Sequence, residues 1–453
     1  MKTKCFFAPL AAAGLALAAA FAPSALHAAS PVELRVELDR SVLPANTKDK
    51  AVIKISLDGL RLERRENRPP VNLAMVLDRS GSMNGEKIIQ AREAAIEAVR
   101  RLATDDIVSL IAFDDRVETL IPATRVGDLR NIEERIRRIQ PGNSTALHAG
   151  VSQGAAELRE NLTKPGYIHR IILLSDGQAN VGPETPEQLG ALGVKLVKDG
   201  ISVTTVGLGL GYDEDLMTKL ALKSDGNTYF VKNARDLPDI FKTELGDVLN
   251  VVARRVAITI EFPEGVRPVR FVGREGTIKG QSAELTINQI YGGQEKFALV
   301  EVEIPTVKDG TERDLARVNV AFENTRSQTV EKSTVVGRAR FSADKNVVLK
   351  SANQRVQADY ASNLIAVAKD EAIVLADAGK VSEAAALMRL QSATLNSGYF
   401  ANNTVVAELA SKNTADADSL EAKGLDNAAR KDYRATNANT YLQQAVTYPG
   451  ATK

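Results

Sequence analysis

Apolar positions follow three different periods along the chain. From residue 31 to 60 they alternate. Val32, Leu34, Val36 and Leu38 share one face, and Val52, Ile53, Ile55 and Leu57 follow a turn at Pro44-Ala45-Asn46. That is the pattern of two half-buried antiparallel strands. From about residue 67 to 250 largely apolar runs, the first broken only by Asn72, alternate with helical spacing. The runs are Val71 to Leu77, Ile107 to Phe113, Ile168 to Leu174 and Ile201 to Val206. The helical stretches cover roughly 127 to 139, 147 to 159, 186 to 198, 214 to 222 and 236 to 249. Mostly apolar strands between helices predict an α/β fold, a doubly wound parallel sheet covered on both faces. Residues 251–348 return to strands separated by Pro-Glu-Gly, Gly-Gly and Asp-Gly turns, which predicts a β-sandwich. Strands 30–66 are expected to pair with it, so that the α/β domain is an insertion; an arm on the α/β domain is the alternative. Residues 349–440 are Ala-rich with helical spacing and predict a C-terminal α-helical module, with helices near Val356–Val374, Val381–Leu395 and Thr404–Tyr433. Residues 441–453 are expected to form a frayed tail.

Residues 1–29 break this scheme. Lys2 and Lys4 precede an apolar Ala-rich run that ends at small residues, Ala28 and Ala29. This reads as a secretory signal peptide, with an uncleaved anchor as the alternative. Cleavage would take the formal charge from +1 to −1 and remove Cys5, the only cysteine. Disulfides are then excluded and stability must come from core burial. A near-neutral balance gives no reason to expect nucleic acid as a partner. No later stretch is long and apolar enough to span a bilayer. The mature protein is expected to be secreted or periplasmic.

The candidate chemistry sits where the first long buried run stops. The segment VNLAMVLDRSGSMNGEKI, Val71 to Ile88, places Asp78, Ser80 and Ser82 at the carboxyl end of a strand, just before a helix. Ligands bind at that rim of open α/β sheets. A carboxylate and two hydroxyls, without sulfur or imidazole, suit a hard divalent ion such as Mg²⁺ or Ca²⁺. Thr145, in PGNSTALHAG, and Asp176, in IILLSDGQAN, occupy comparable loop positions. Each residue alone has an ordinary role: helix cap for Asp78, Ser80, Ser82 or Thr145, turn residue for Asp176. Arg79 reads as a solvated arginine or a partner contact. Asp114 and Asp115 read as a turn or an extension of an acidic rim. Asp213, Glu214 and Asp215 read as helix-start acids.

Together, DxSxS after the first strand, Thr145 before the third helix and Ser-Asp-Gly after the fourth strand resemble the metal-ion-dependent adhesion site of von Willebrand factor type A domains. All five positions match, and the resemblance covers the whole α/β region. It implies a bound Mg²⁺ (or Ca²⁺ or Mn²⁺) held by Asp78, Ser80, Ser82, Thr145 and Asp176, the last commonly through a water. It also implies an open coordination position for a carboxylate of a partner, either a protein or an acidic surface polymer. In overall plan the chain is similar to bacterial secreted proteins with such a domain.

Catalysis has little support. Beyond the leader the histidines are His148 and His169, and neither lies in HExxH. There is no GxSxG elbow and no Walker A motif, and GLGLG at 207 to 211 lacks dinucleotide-binding spacing. The expected function is metal-dependent protein binding of the adhesion type. The alternative is a structural or envelope-assembly protein in which the metal only stabilises the fold.

Overall fold

A computed structural model describes residues 30–61 and 68–446. The expected leader with its cleavage site and Cys5, most of the charged stretch at 61–70, and the end of the tail lie outside the described residues.

The α/β domain is built on six strands in the order β6-β5-β4-β7-β8-β9. They are β4 (Val71–Asp78), β5 (Ile107–Phe113), β6 (Val117–Arg125), β7 (Ile168–Ser175), β8 (Ile201–Leu208) and β9 (Thr228–Val231). All neighbours are parallel except the β5–β6 edge pair. Every residue of β4, β5, β7 and β8 is buried, as a sheet covered on both faces demands. Alternation sorts the side chains of β4 into two cores. Leu73, Met75 and Leu77 face α1 (Glu86–Arg100), α2 (Leu129–Arg137) and α6 (Leu237–Val248). Ala74 and Val76 face α3 (Leu147–Arg159), α4 (Pro186–Lys198) and α5 (Glu214–Lys223). Helix α3 lies close on the sheet because a methyl on its Gly154 would come within 2.7 Å of Val76.

Two further sheets form the second layer system. One has the order β1-β3-β14-β11 and the other β12-β13-β10-β15-β16-β2. The first comprises β1 (Val32–Leu38), β3 (Asp49–Gly59), β11 (Arg267–Val272) and β14 (Gln294–Ile304). The second comprises β2 (Val42–Pro44), β10 (Val251–Glu261), β12 (Thr277–Lys279), β13 (Ser282–Tyr291), β15 (Glu312–Asn324) and β16 (Val330–Ser342). A shared core joins them, with Leu34, Ile53, Ile55 and Val300 against Val256, Ile258, Leu285 and Val318. Strand β3 pairs with β14 along Asp49 to Asp58, and β2 runs parallel to β16. The α/β domain therefore interrupts the chain between β3 and β10.

After the short α7 (Lys345–Lys350), α8 (Gln354–Asp377) covers the outer face of the first of these sheets through Val356, Tyr360 and Leu364. Helix α9 is Val381–Leu395. The single helix expected near 404–433 is two: α10 (Thr404–Lys423) and α11 (Asn427–Tyr441). Gly424 ends α10 at φ +74° and Asp426 caps α11 by accepting from Ala429 N at 2.8 Å. The beginning of the expected tail is ordered as β17 (Gln444–Val446), which pairs with β14.

Candidate metal centre

Asp78 ends β4 fully buried. Its Oδ1 accepts Ser80 N at 2.7 Å, and its Oδ2 accepts the hydroxyl of Ser175, the last residue of β7. The first bond folds the chain into a tight Asx-type turn, so that Ser80 follows directly beneath the strand end. A 3-10 turn at Gly81–Met83 then places Ser82 Oγ 3.0 Å from Ser80 Oγ. Ser82 Oγ donates to Asp176 Oδ1 at 2.7 Å, and the Lys87 ammonium pairs with Asp176 Oδ2.

Backbone bonds hold the three loops together. Gly142 N donates to Arg79 O at 2.6 Å and Gly81 N to Asn143 O at 2.8 Å. Thr145 N donates to Asn180 Oδ1 at 2.8 Å, and Asn180 N returns a bond to Thr145 O at 3.2 Å. Gly142 is required at its position, because a methyl there would overlap the Asp114 carboxylate. Gly177 marks the centre of the arrangement. A methyl on it would sit 2.9 Å from Thr145 Oγ1 and 3.5 Å from both Asp78 Oδ2 and Ser80 Oγ. Oxygens from three separate loops thus surround one small space that glycine leaves open.

All five residues singled out in the sequence meet at this rim. Thr145 does not cap α3, whose N-cap is Ala146. Arg79 is not a solvated arginine, since it pairs with Asp114 at 3.2 Å and Glu118 at 2.7 Å. Asp114 is a buried turn residue whose Oδ1 accepts Arg116 N at 2.8 Å. Asp213 caps α5 by accepting Leu216 N at 3.0 Å. Glu214 pairs with Arg430 and Lys431 of α11. Four further residues shape the site: Ser175 and Gly177, read in the sequence only as flanks of Asp176 in Ser-Asp-Gly, and Asn180 and Lys87, which went unread. Three of them lie inside IILLSDGQAN, where only pairing to distant loops reveals their part.

The donor set fits a hard divalent ion. It offers two carboxylates and three hydroxyls, all oxygen, with the carboxylates balancing a +2 charge. Among the described residues no group of three or more His, Cys, Asp or Glu could hold a metal, and at this rim neutral hydroxyls stand beside the two carboxylates as candidate ligands. Burial pushes the Asp78 carboxyl up to about 6, with the nearby Asp176 adding to the rise and hydrogen bonds from the two serines opposing it. A cation beside Asp78 would relieve that desolvation. Gly177→Ala should fill the space without altering any donor. We expect calorimetry with Mg²⁺ to show at least about tenfold weaker binding, equivalent to roughly 1.4 kcal/mol, with the far-UV spectrum unchanged. Unaltered affinity would mean that the ion lies elsewhere.

The comparisons with known proteins bear on the fold that carries this rim. Residues 72–243 match the model of the von Willebrand factor type A domain. The α/β part of the chain is such a domain. An uncharacterized protein of Synechocystis sp. is 26% identical over 274 residues, 58% of this chain and 64% of that protein. An inter-alpha-trypsin inhibitor heavy chain of Mus musculus is 30% identical over 203 residues, 43% of this chain and 22% of that one. The chain therefore spans less than two thirds of either relative. In fold it is similar to a von Willebrand factor type A protein from Catenulispora acidiphila, with TM-score 0.68, 16% identity, and 93% and 98% of the two chains covered. It is also similar to the ArnB paralog VWA2 from Sulfolobus acidocaldarius, with TM-score 0.60, 17% identity, and 91% and 98% covered. Those likenesses extend over the second layer system and the helices as well. No helix among the described residues is long and apolar enough to cross a membrane.

Proposed function

We propose that the protein is a secreted or periplasmic binding protein that grips an acidic group of a partner through a divalent ion at this rim. The observation that carries the reading is the space beside Gly177, ringed by Thr145 Oγ1, Asp78 Oδ2 and Ser80 Oγ. Asp78, Ser80, Ser82, Thr145 and Asp176 would hold Mg²⁺, with Ca²⁺ or Mn²⁺ as substitutes. The ion supplies a positive coordination position that a carboxylate from outside can fill. The partner is a protein or an acidic surface polymer. Leu210, 55% exposed in the loop after β8, offers an apolar contact near the rim. Gly211 of the same loop packs against Asp176, where a methyl would stand 2.9 Å from its carbonyl oxygen. The role is binding rather than catalysis.

Ser82→Ala tests the reading. The mature protein, immobilised in Mg²⁺ buffer and exposed to cell extract, should release its captured partner with EDTA. The variant should capture none of the EDTA-released material. Equal capture by both proteins, together with a metal-induced rise in melting temperature, would instead favour a purely structural ion.

A further inference from the structure

Lys87 occupies the second position of α1, where the exposed N–H groups and the helix dipole disfavour a cation. Its placement is explained by Asp176. The ammonium pairs with Asp176 Oδ2 while Asp176 Oδ1 takes the Ser82 hydroxyl at 2.7 Å. One carboxylate is thus shared between a member of the candidate donor set and a fixed positive charge. The two ends of that pair differ in access to water: the Lys87 side chain is 36% exposed and that of Asp176 is 0%. The Lys87 stem runs past Gly209, where a methyl would stand 3.9 Å from its Cε and Nζ.

We propose that Lys87 is a tethered competitor of the divalent ion: it neutralises Asp176 in the ion-free protein and swings into water when the ion enters. The inference rests on the metal-binding reading above. Two carboxylates match one divalent ion in charge, so an ammonium left in place would make the filled site positive. The exposed side of Lys87 gives it somewhere to go, and its charge is well solvated there. Lys87 therefore sets the affinity of the site below what its five oxygen donors would reach alone. It also keeps the ion-free rim intact, since Asp176 never stands without a cation. Once displaced, the ammonium stays within a side chain's length of the ion and adds positive charge to the face that a carboxylate would approach.

The test is calorimetry of the mature protein with Mn²⁺ and with Mg²⁺, for wild type, Lys87→Met and Lys87→Arg. The Met variant should bind each ion about three- to tenfold more tightly, the range expected for removing one partly screened charge. Its metal-induced rise in melting temperature should also exceed that of wild type. The Arg variant, which keeps the charge, should resemble wild type. Measurable but equal affinities for wild type and Lys87→Met would overturn the role of Lys87 and leave the metal site standing. Heatless titrations of all three proteins would overturn both.

Discussion

Asp78→Asn is expected to leave the protein folded and to abolish the binding of divalent ions proposed for it. Asp78 sits at the bottom of the site with none of its surface in water. Its Oδ1 accepts Ser80 N, a bond that an amide oxygen can take over. Its Oδ2 accepts the Ser175 hydroxyl. An amide nitrogen in that place donates instead, and the hydroxyl can rotate to accept. The turn therefore survives the substitution. The charge does not survive, and it is the part a cation needs. Burial holds the carboxyl up at about 6, so the ionised form at neutral pH exists against a desolvation cost. In EDTA the variant should consequently melt no lower than wild type. Its affinity for Mg²⁺ should fall by at least about 100-fold, or roughly 2.7 kcal/mol. A variant that still binds Mg²⁺ within a few-fold of wild type would show that Asp78 does not hold the ion.

That balance of strain and binding was partly legible in the residues. The doubly wound sheet could be read because β4, β5, β7 and β8 are buried on both faces and so are mostly apolar, with few polar residues such as Asn72 and Arg170 among them. The convergence of Asp78 with Thr145 and Asp176 was implied by the resemblance of DxSxS, Thr145 and Ser-Asp-Gly, in that order, to the von Willebrand factor type A site, and by none of the residues taken alone. The partners of these residues could not be read. Asn180 holds Thr145 only through the fold of its loop, and Lys87 looks like any polar residue opening a helix. The division of the stretch 404–433 into α10 and α11 was also missed, because one glycine in an Ala-rich run is a weak signal without its φ. Nor does the sequence show that α11 reaches back to the α/β domain. There Lys431 Nζ donates to Tyr212 O at 2.6 Å and pairs with Glu214, fixing the loop that borders Asp176.

The largest loss of stability is expected from a residue that belongs to neither the rim nor an apolar core. Arg170 of β7 is fully buried. It donates to Gln289 Oε1 at 2.8 Å and to the Tyr291 hydroxyl, both on β13, and lies 3.6 Å from Glu244 of α6. Glu244 in turn accepts from Asn227 at 2.7 Å and from the Tyr229 hydroxyl at 3.2 Å. The guanidinium therefore joins the fourth strand and last helix of the α/β domain to a strand of the neighbouring sheet. Arg170→Met keeps the volume and removes the charge. Glu244 is then left as a buried carboxylate without its ion-pair partner, and Gln289 and Tyr291 lose their donor. Breaking one side of such a pair costs about 3–5 kcal/mol, more than the pair itself contributes. Urea unfolding of the protein should register that loss. The double variant Arg170→Met with Glu244→Gln should recover part of it, because the orphaned charge has gone. Additive losses in the double variant would mean that the two residues act independently, and a single-variant cost below about 1 kcal/mol would mean that Arg170 is not what ties the layers together.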